Sequence, residues 1–330
     1  MYNQFETRLD KERVILLKYS QNKETKHRFA TFLIRFPKIL LQELNTHRQL
    51  VRNCGSSRAI PTKTVIEKVR KDSYIPTFTV NQPGMTGELA DTALNTDAEV
   101  LWLNALDEAI KYSEALQKEG IHKQDANRLL EPFEYVDLVL SGTEWENFFK
   151  LRCAFDTQPA FKFIAQRCKL LLELDTPDIL APGEWHIPFD DFYTNNHTLE
   201  EKIKIAIARI ARVSYGNHGK EGLDYEADFR LADKLLESGH LSPLEHVAKC
   251  VSTNSRGIKA VALNSLVLDS SPALANLLDN HTYYEKDTNK YYWTRQYAGF
   301  YTYRHHIEDR LPIVPILKGN SATSLLIDNI

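Results

Sequence analysis

The chain has 330 residues, 43% of them apolar and 26% charged, with a formal net charge of −3. That length supports one large domain or two modest ones, and the composition is that of a soluble globular protein rather than a disordered or membrane-embedded one. The slightly acidic balance excludes a general nucleic-acid binder, whose footprint is a basic surplus. The four cysteines, Cys54, Cys153, Cys168 and Cys250, lie too far apart for a CxxC zinc or disulfide framework.

The first twenty residues, MYNQFETRLDKERVILLKYS, carry acids and bases early and no long apolar run. They are expected to form neither a signal peptide nor a membrane span, which makes a reduced, cytoplasmic protein the default expectation. Residues 28–44, RFATFLIRFPKILLQEL, read as a strand through about Phe36 and then a helix with Pro37 at its first position. Next comes THRQLVRNCGSSRAIP, residues 46–61, which packs Arg48, Arg52 and Arg58 beside His47, Asn53, Ser56 and Ser57 without a carboxylate. Arg48 and Arg52 stand four residues apart, and on a helix such like charges repel unless an anion lies near them. Arginine forks, serine hydroxyls and loop amides suit phosphate oxygens, and Gly55 permits a close backbone approach. The segment describes a phosphate or nucleotide cradle. A solvated basic loop, or arginines paired with acids such as Glu43, is the bland alternative.

Two residues of this segment invite a stronger role. Cys54, beside Arg52, has a neighbour that lowers a thiol pKa, yet no cysteine-enzyme signature surrounds it and a small, partly buried residue is the better reading. Cys153, beside Arg152, is read the same way. His47 is either a general base or a hydrogen-bonding scaffold.

Further along, SYIPTFTVNQPGM is a loop, and a long helix over about 86–119 closes at Gly120. HKQDANRLLEPFEYVDLVLSG sets Arg128 near a proline-marked turn. TEWENFFKLRC reads as a helix with Arg152 at its end, where an arginine beside apolar side chains needs an anionic or carbonyl partner. FDTQPAFKFIAQRCKLLLEL follows. Residues 174–198, with three prolines and Trp185, form the best candidate junction. Beyond it LEEKIKIAIARIARVSY and DYEADFRLADKLLESGH read as helices, the second stopped by Gly239. The SPLE stretch at 242–245 matches a capping box, with Ser242 as cap and Glu245 three residues on. The aromatic and basic run 284–306 takes no assignment in isolation. The division expected is 1–173, a junction at 174–198, and 199–330, with the two parts intertwined into one catalytic unit.

Taken together these blocks resemble the flavin-dependent thymidylate synthases, the ThyX family. The family carries Arg-His-Arg, then after seven residues Ser, then Arg two further on. THRQLVRNCGSSR keeps His47, Arg48, Asn53, Ser56 and Arg58 at that spacing, with Thr46 for the first arginine and Cys54 for an acidic residue. NRLLEP is similar to the family's Ala-Arg-x-x-Leu-Pro block, and ENFFKLR to its Asn-x-x-x-Leu-x-Leu-Arg helix end. ARVSY and GHLSPLEH resemble its Ala-Arg-x-Ser and Gly-His-x-Ser/Thr-Pro-x-Glu-His blocks. In the usual family chain these last blocks precede the arginine motif, whereas here they follow it at 211–246. The resemblance is therefore to a long, circularly permuted relative, in which the GFYTYR tail rebuilds a strand beside the site.

The resemblance implies an α+β fold, a small antiparallel sheet flanked by long helices with its motif blocks permuted. It implies an enzyme converting dUMP to dTMP with FAD, methylenetetrahydrofolate and NADPH, without an enzymic nucleophile. Arg152 would bind the pyrimidine carbonyl and N3 side and, with His240, act catalytically. Ser56, Ser57, Arg58 and Arg128 would hold the phosphate, with Glu43 near a nucleotide-contacting position. Thr46, His47, Arg48, Asn147, Ser214, Ser242 and Glu245 match flavin-side positions, and His240 a histidine near the flavin ring. The family's flavin-contacting Asn-x-Arg is Ser141-Gly142-Thr143 here, across a three-residue deletion. A helix N-terminus is itself an anion site, so capping and flavin contact by Ser242 and Glu245 can coexist. A homo-oligomer is expected because family sites lie between subunits, with no metal, nucleic-acid polymer or membrane as partner. Two competing readings are a pyrimidine-nucleotide hydroxymethylase on the same scaffold and a non-catalytic nucleotide binder.

Overall fold

The computed structural model describes residues 13–84, 87–215, 224–252, 282–285, 290–293 and 297–308. The readings of the first twelve residues, and of 286–289 and 294–296 within the aromatic run, lie outside these. Strands β1 (Val14–Asn22) and β2 (Arg28–Pro37) form an antiparallel hairpin. Both are rich in β-branched and aromatic residues and alternate between two buried faces. Pro37 closes β2 rather than opening a helix: a 3-10 turn, Lys38–Leu40, leads into the short helix α1 (Leu41–Leu44). Strands β3 (Val51–Cys54) and β4 (Tyr135–Gly142) extend the sheet on one side, and β5 (Asp178–Leu180) pairs parallel to β1 on the other. The order is β3-β4-β2-β1-β5. The expected α+β architecture is present, although β5 makes this sheet mixed.

Both faces of the sheet are covered, which is why its strands read as nearly continuous apolar runs. Ile15, Leu33 and Val139 pack beneath helix α7 (Leu199–Ser214) and the turn that carries Leu244 and Val247. Phe32, Ile34, Leu138 and Leu140 pack on the opposite face with helices α5 (Glu146–Arg152) and α6 (Pro159–Leu174). Helices α2 (Thr62–Lys71) and α3 (Thr92–Lys118) build a third cluster with Leu130 and Phe133. The intervening segment holds the one-turn helix α4 (Lys123–Ala126) and a 3-10 turn, Asn127–Phe133. Helix α3, at 27 residues, is about 40 Å long.

Residues 174–198 contribute to two sheets. Beyond β5, strand β6 (Trp185–His186) pairs with β7 (Ala248–Cys250), which pairs with β10 (Phe300–Thr302). Strands β8 (Thr282–Glu285) and β9 (Lys290–Trp293) form a separate hairpin. The GFYTYR stretch thus supplies a strand, then helix α9 (Tyr303–Glu308). Gly299 is required where it stands: its φ is +71°, and an added Cβ would lie 2.7 Å from the Thr25 hydroxyl. Asn22, wholly buried at the end of β1, donates to the carbonyls of Val251 and Gly299 and ties the late strands to the first. No helix among the described residues is long and apolar enough to cross a membrane.

Two local expectations need correcting. The SPLE stretch does not cap a helix. Ser242–His246 is a five-residue 3-10 turn whose cap position is Leu241, and no side chain caps it. Glu245 turns instead to Arg304, whose Nη1 donates to Oε1 at 2.6 Å. The capping box lies at the start of α7, where Thr198 and Glu201 exchange bonds between side chain and backbone. Arg48 and Arg52 share no helix either, because Arg48 lies in a turn and Arg52 on β3. Helix α8 (Tyr225–Glu237) does stop as expected, with Gly239 at φ +72°.

Candidate functional site

The expected site residues fall into three groups. The first surrounds Arg152 at the end of α5, about one turn of helix beyond Phe148 and two beyond Trp145, the side chains that anchor it in the core. Its Nε donates to His47 Nε2 at 2.7 Å, and its Nη2 donates to the Glu43 carbonyl at 3.1 Å and the Thr46 hydroxyl at 3.2 Å. The guanidinium lies 4.6 Å from the centre of the Phe161 ring, and Nη1 is 3.6 Å from the Glu43 carboxylate. Burial, then the charges of Arg152 and Arg52, push the His47 ring down to about 4. His47 is therefore neutral at pH 7, and because Nε2 accepts from Arg152, its proton sits on Nδ1. The ring holds the guanidinium without adding charge, and Phe148 fixes it edge-on at 5.0 Å.

The second group gathers around the serine pair. The Ser56 N–H donates to the Ser214 carbonyl at 3.1 Å, which brings the end of the ARVS block against the arginine motif. Ser57 is buried, and Asn127 Nδ2 holds its carbonyl at 2.8 Å. Lys38 Nζ donates to the Ser57 hydroxyl at 2.6 Å and to Glu134 at 3.1 Å. Arg128 pairs with Glu131 at 3.2 Å, while Arg58 faces solvent. Ser56 and Gly55 border a cleft of about 600 Å³ between the β2–β4 end and α2, within the range of small-molecule sites. Its charges are mostly matched, Arg35 to Asp137 at 2.8 Å and Arg13 to Asp72 at 2.9 Å.

The third group comes from the late blocks. His240 and Ser242 are exposed, and the Ser238 hydroxyl lies 2.9 Å from His240 Nδ1. Burial raises the Glu245 carboxyl, an effect that Arg304 opposes. Arg48 and Asn147 also face solvent. Ser141 is wholly buried, its hydroxyl 2.7 Å from Thr31 Oγ1 and 2.7 Å from His246 Nδ1, so that part of the implied flavin-contacting triplet lies inside the protein. Burial pushes the Cys54 thiol up, against the thiolate form that a nucleophile needs.

Several residues of these groups were not singled out from the sequence. Lys38 and Glu131 stand beside the serine pair, and Arg304 answers Glu245. Only Glu131 carried a legible sign, as an acid where the resembling block has leucine. Arg212 of ARVSY is structural: its Nε donates to Asp228 at 2.9 Å, and buried Arg209 bonds the same carboxylate. Among the described residues, no group of three or more His, Cys, Asp or Glu could hold a metal ion.

A mixed sheet is thus covered by helices on both faces, with arginines, serines and a neutral histidine gathered on the helix ends and turns that join its strands. The family described as thymidylate synthase complementing protein matches residues 9–178, more than half of the chain, and the chain belongs to that family. Among solved structures it is similar to a UMP/dUMP methylase, PolB, from Streptomyces cacaoi bound with 5-Br UMP. The identity is 18% and the TM-score 0.40, over 48% of this chain and 87% of that one. The same enzyme bound with 5-Br dUMP gives 16% and 0.39, over 48% and 88%. None of the curated proteins compared matches the chain.

Proposed function

We propose that this chain is a flavin-dependent enzyme that methylates C5 of a pyrimidine deoxynucleotide, converting dUMP to dTMP with methylenetetrahydrofolate as carbon donor and NADPH as reductant. Family membership supports the reaction class. The observation that carries the residue roles is the Arg152 clamp: a guanidinium seated on Phe161, oriented by a neutral histidine, with its Nη1 edge toward an exchangeable carboxylate. Such a group can hold the O2 and N3 side of a uracil ring and stabilise negative charge as it develops there. It does so in a partly buried setting, where the charge counts for more than in water.

Ser56, Ser57, Arg58 and Arg128 would hold the nucleotide phosphate, since their hydroxyl and guanidinium groups are the donors that phosphate oxygens take. For FAD the donor chemistry fits. Arg48, Asn147 and Ser242 offer a guanidinium, an amide and a hydroxyl at the surface, suited to a pyrophosphate and to ring carbonyls. When bound, FAD supplies the hydride. His240, also exposed, belongs to this flavin side. The resemblance to the family, whose sites lie between subunits, supports a site completed in a homo-oligomer. The contact between Ser56 and the Ser214 carbonyl supports a permuted chain whose two parts form one unit despite the reversed order of motifs.

The test is an anaerobic reaction with dUMP, methylenetetrahydrofolate, FAD and NADPH, read as product mass. The expected product is dTMP. A product heavier by one oxygen would point to hydroxymethylation, and a protein that gains no flavin absorbance when FAD is added overturns the proposal. Arg152→Ala is expected to lower turnover by about a hundredfold or more, whereas Cys54→Ala retains most activity. Equal losses in the two variants would contradict the assigned roles.

A further inference from the structure

The cradle formed by the serine pair and Arg128 already holds an anion, and that anion belongs to the chain. Ser57 Oγ donates to Glu131 Oε1. Arg128 Nη1 donates to the same oxygen at 3.2 Å and reaches Oε2 at 3.5 Å. Lys38 Nζ stands 3.4 Å from Oε1 while donating to the Ser57 hydroxyl. One carboxylate oxygen thus collects a hydroxyl, a guanidinium and an ammonium, the set that a phosphate oxygen would use. The local backbone enforces the arrangement. Arg128 and Glu131 stand three residues apart in the 3-10 turn Asn127–Phe133, and residues at that spacing eclipse one another in a 3-10 helix. Asn127 fixes the facing turn through the carbonyls of Ser57 and Ile60, at 2.8 and 2.9 Å.

Charge decides what this does. Lys38 and Arg128 face Glu131 and Glu134, two cations against two carboxylates. A dianionic phosphate entering between Ser57, Lys38 and Arg128 finds these two cations already matched until Glu131 leaves, with only the exposed Arg58 nearby in sequence to add charge. We propose that Glu131 is a specificity-determining residue, an internal anion that a ligand's phosphate must displace from Ser57 and Arg128. A phosphate with no other attachment competes poorly with a tethered carboxylate. A nucleotide anchored elsewhere as well, through its base, supplies the remaining binding energy, so the site rejects simple phosphates. The inference rests on the reading that Ser57 and Arg128 hold the nucleotide phosphate.

The experiment measures binding of dUMP, deoxyuridine and inorganic phosphate by calorimetry to the full chain and to its Glu131→Gln and Glu131→Leu variants. Removing the carboxylate charge is expected to tighten dUMP and inorganic phosphate about tenfold, the effect of one like charge removed at a half-screened site. Deoxyuridine affinity stays within about twofold. Gln keeps the shape and Leu removes the polar group, so if one variant folds poorly by circular dichroism the other decides. If the wild-type chain prefers dUMP to deoxyuridine but neither variant tightens dUMP, the Glu131 proposal is wrong and the phosphate reading stands. If dUMP and deoxyuridine bind alike, or neither binds, in every protein, the phosphate reading fails and this inference falls with it.

Discussion

His47 and Arg152 illustrate how one contact sets the state of two functional groups. The imidazole accepts from the guanidinium, and it does so as a neutral ring because burial and two arginines hold its pKa near 4. Charging it would place a cation against Arg152 and replace an acceptor by a donor, so the clamp and the low pKa are one fact. Arg152→Ala removes the nearer cation and admits water to the ring. The His47 pKa is then expected to rise by about a unit or more, toward the ordinary 6.5. Titration of the labelled ring by NMR measures this directly, and an unmoved pKa would mean that burial alone sets it. Thr46 fits the same logic. A hydroxyl at this position accepts from Arg152 Nη2, where a second guanidinium would repel it.

At the scale of elements, α7 and α8 are joined through charge as well as packing. Asp228 of α8 is wholly buried and bonds both Arg209 and Arg212 of α7, and Arg209 also lies 5.0 Å over the Phe192 ring. Such a group gains little over an apolar core while intact, but breaking it strands buried charge. Asp228→Asn is therefore expected to cost about 3–5 kcal/mol in urea unfolding. A loss below about 1 kcal/mol would show that water or another acid compensates. The same helix explains what was legible in the sequence. Its apolar spacing could be read directly, because amphipathic periodicity is a local property, and the reading overran its end at Ser214 by one residue. Thr198–Glu201 and SPLE share the Ser/Thr-x-x-Glu pattern, and only the first is a capping box; whether a helix follows Ser242 depends on β7 claiming the chain at Ala248. The site was legible as residue types in blocks. Pairings such as Glu131 with Ser57 or Arg304 with Glu245 join segments far apart in the chain, and no local pattern announces them.

Across the whole molecule, a buried polar chain joins the early sheet to the late one. Ser20 Oγ lies 2.9 Å from His186 Nδ1, His186 Nε2 lies 2.8 Å from Thr31 Oγ1, and Thr31 leads through Ser141 to His246 Nδ1. All five residues are wholly buried. Four links need four protons, and neutral imidazoles supply them when His246 donates from Nδ1 to Ser141, Ser141 to Thr31, Thr31 to His186 Nε2, and His186 from Nδ1 to Ser20, which leaves His246 Nε2 without a proton. Protonating His246 would instead leave an Nε2–H with no acceptor, since that atom has no partner among the described residues. Burial accordingly lowers His246 to about 3 and holds His186 well below its ordinary value, with Lys18 and His246 adding to the effect. The consequence for stability has a definite sign. In the unfolded chain both rings titrate near 6.5, so below that pH the unfolded state binds protons that the native state refuses. The contribution is fully present above about pH 6.5 and is lost as pH falls toward the native values. Each histidine can steepen the decline by at most about 1.4 kcal/mol per pH unit. Urea unfolding at a series of pH values from about 7.5 to about 5.5 should therefore show falling stability through the histidine range, above the ordinary carboxylate range. His246→Gln, which cannot charge, should shallow that slope even if it lowers stability at pH 7.5. An identical slope in the variant would remove His246 from the acid response and leave His186 or His47 to account for it.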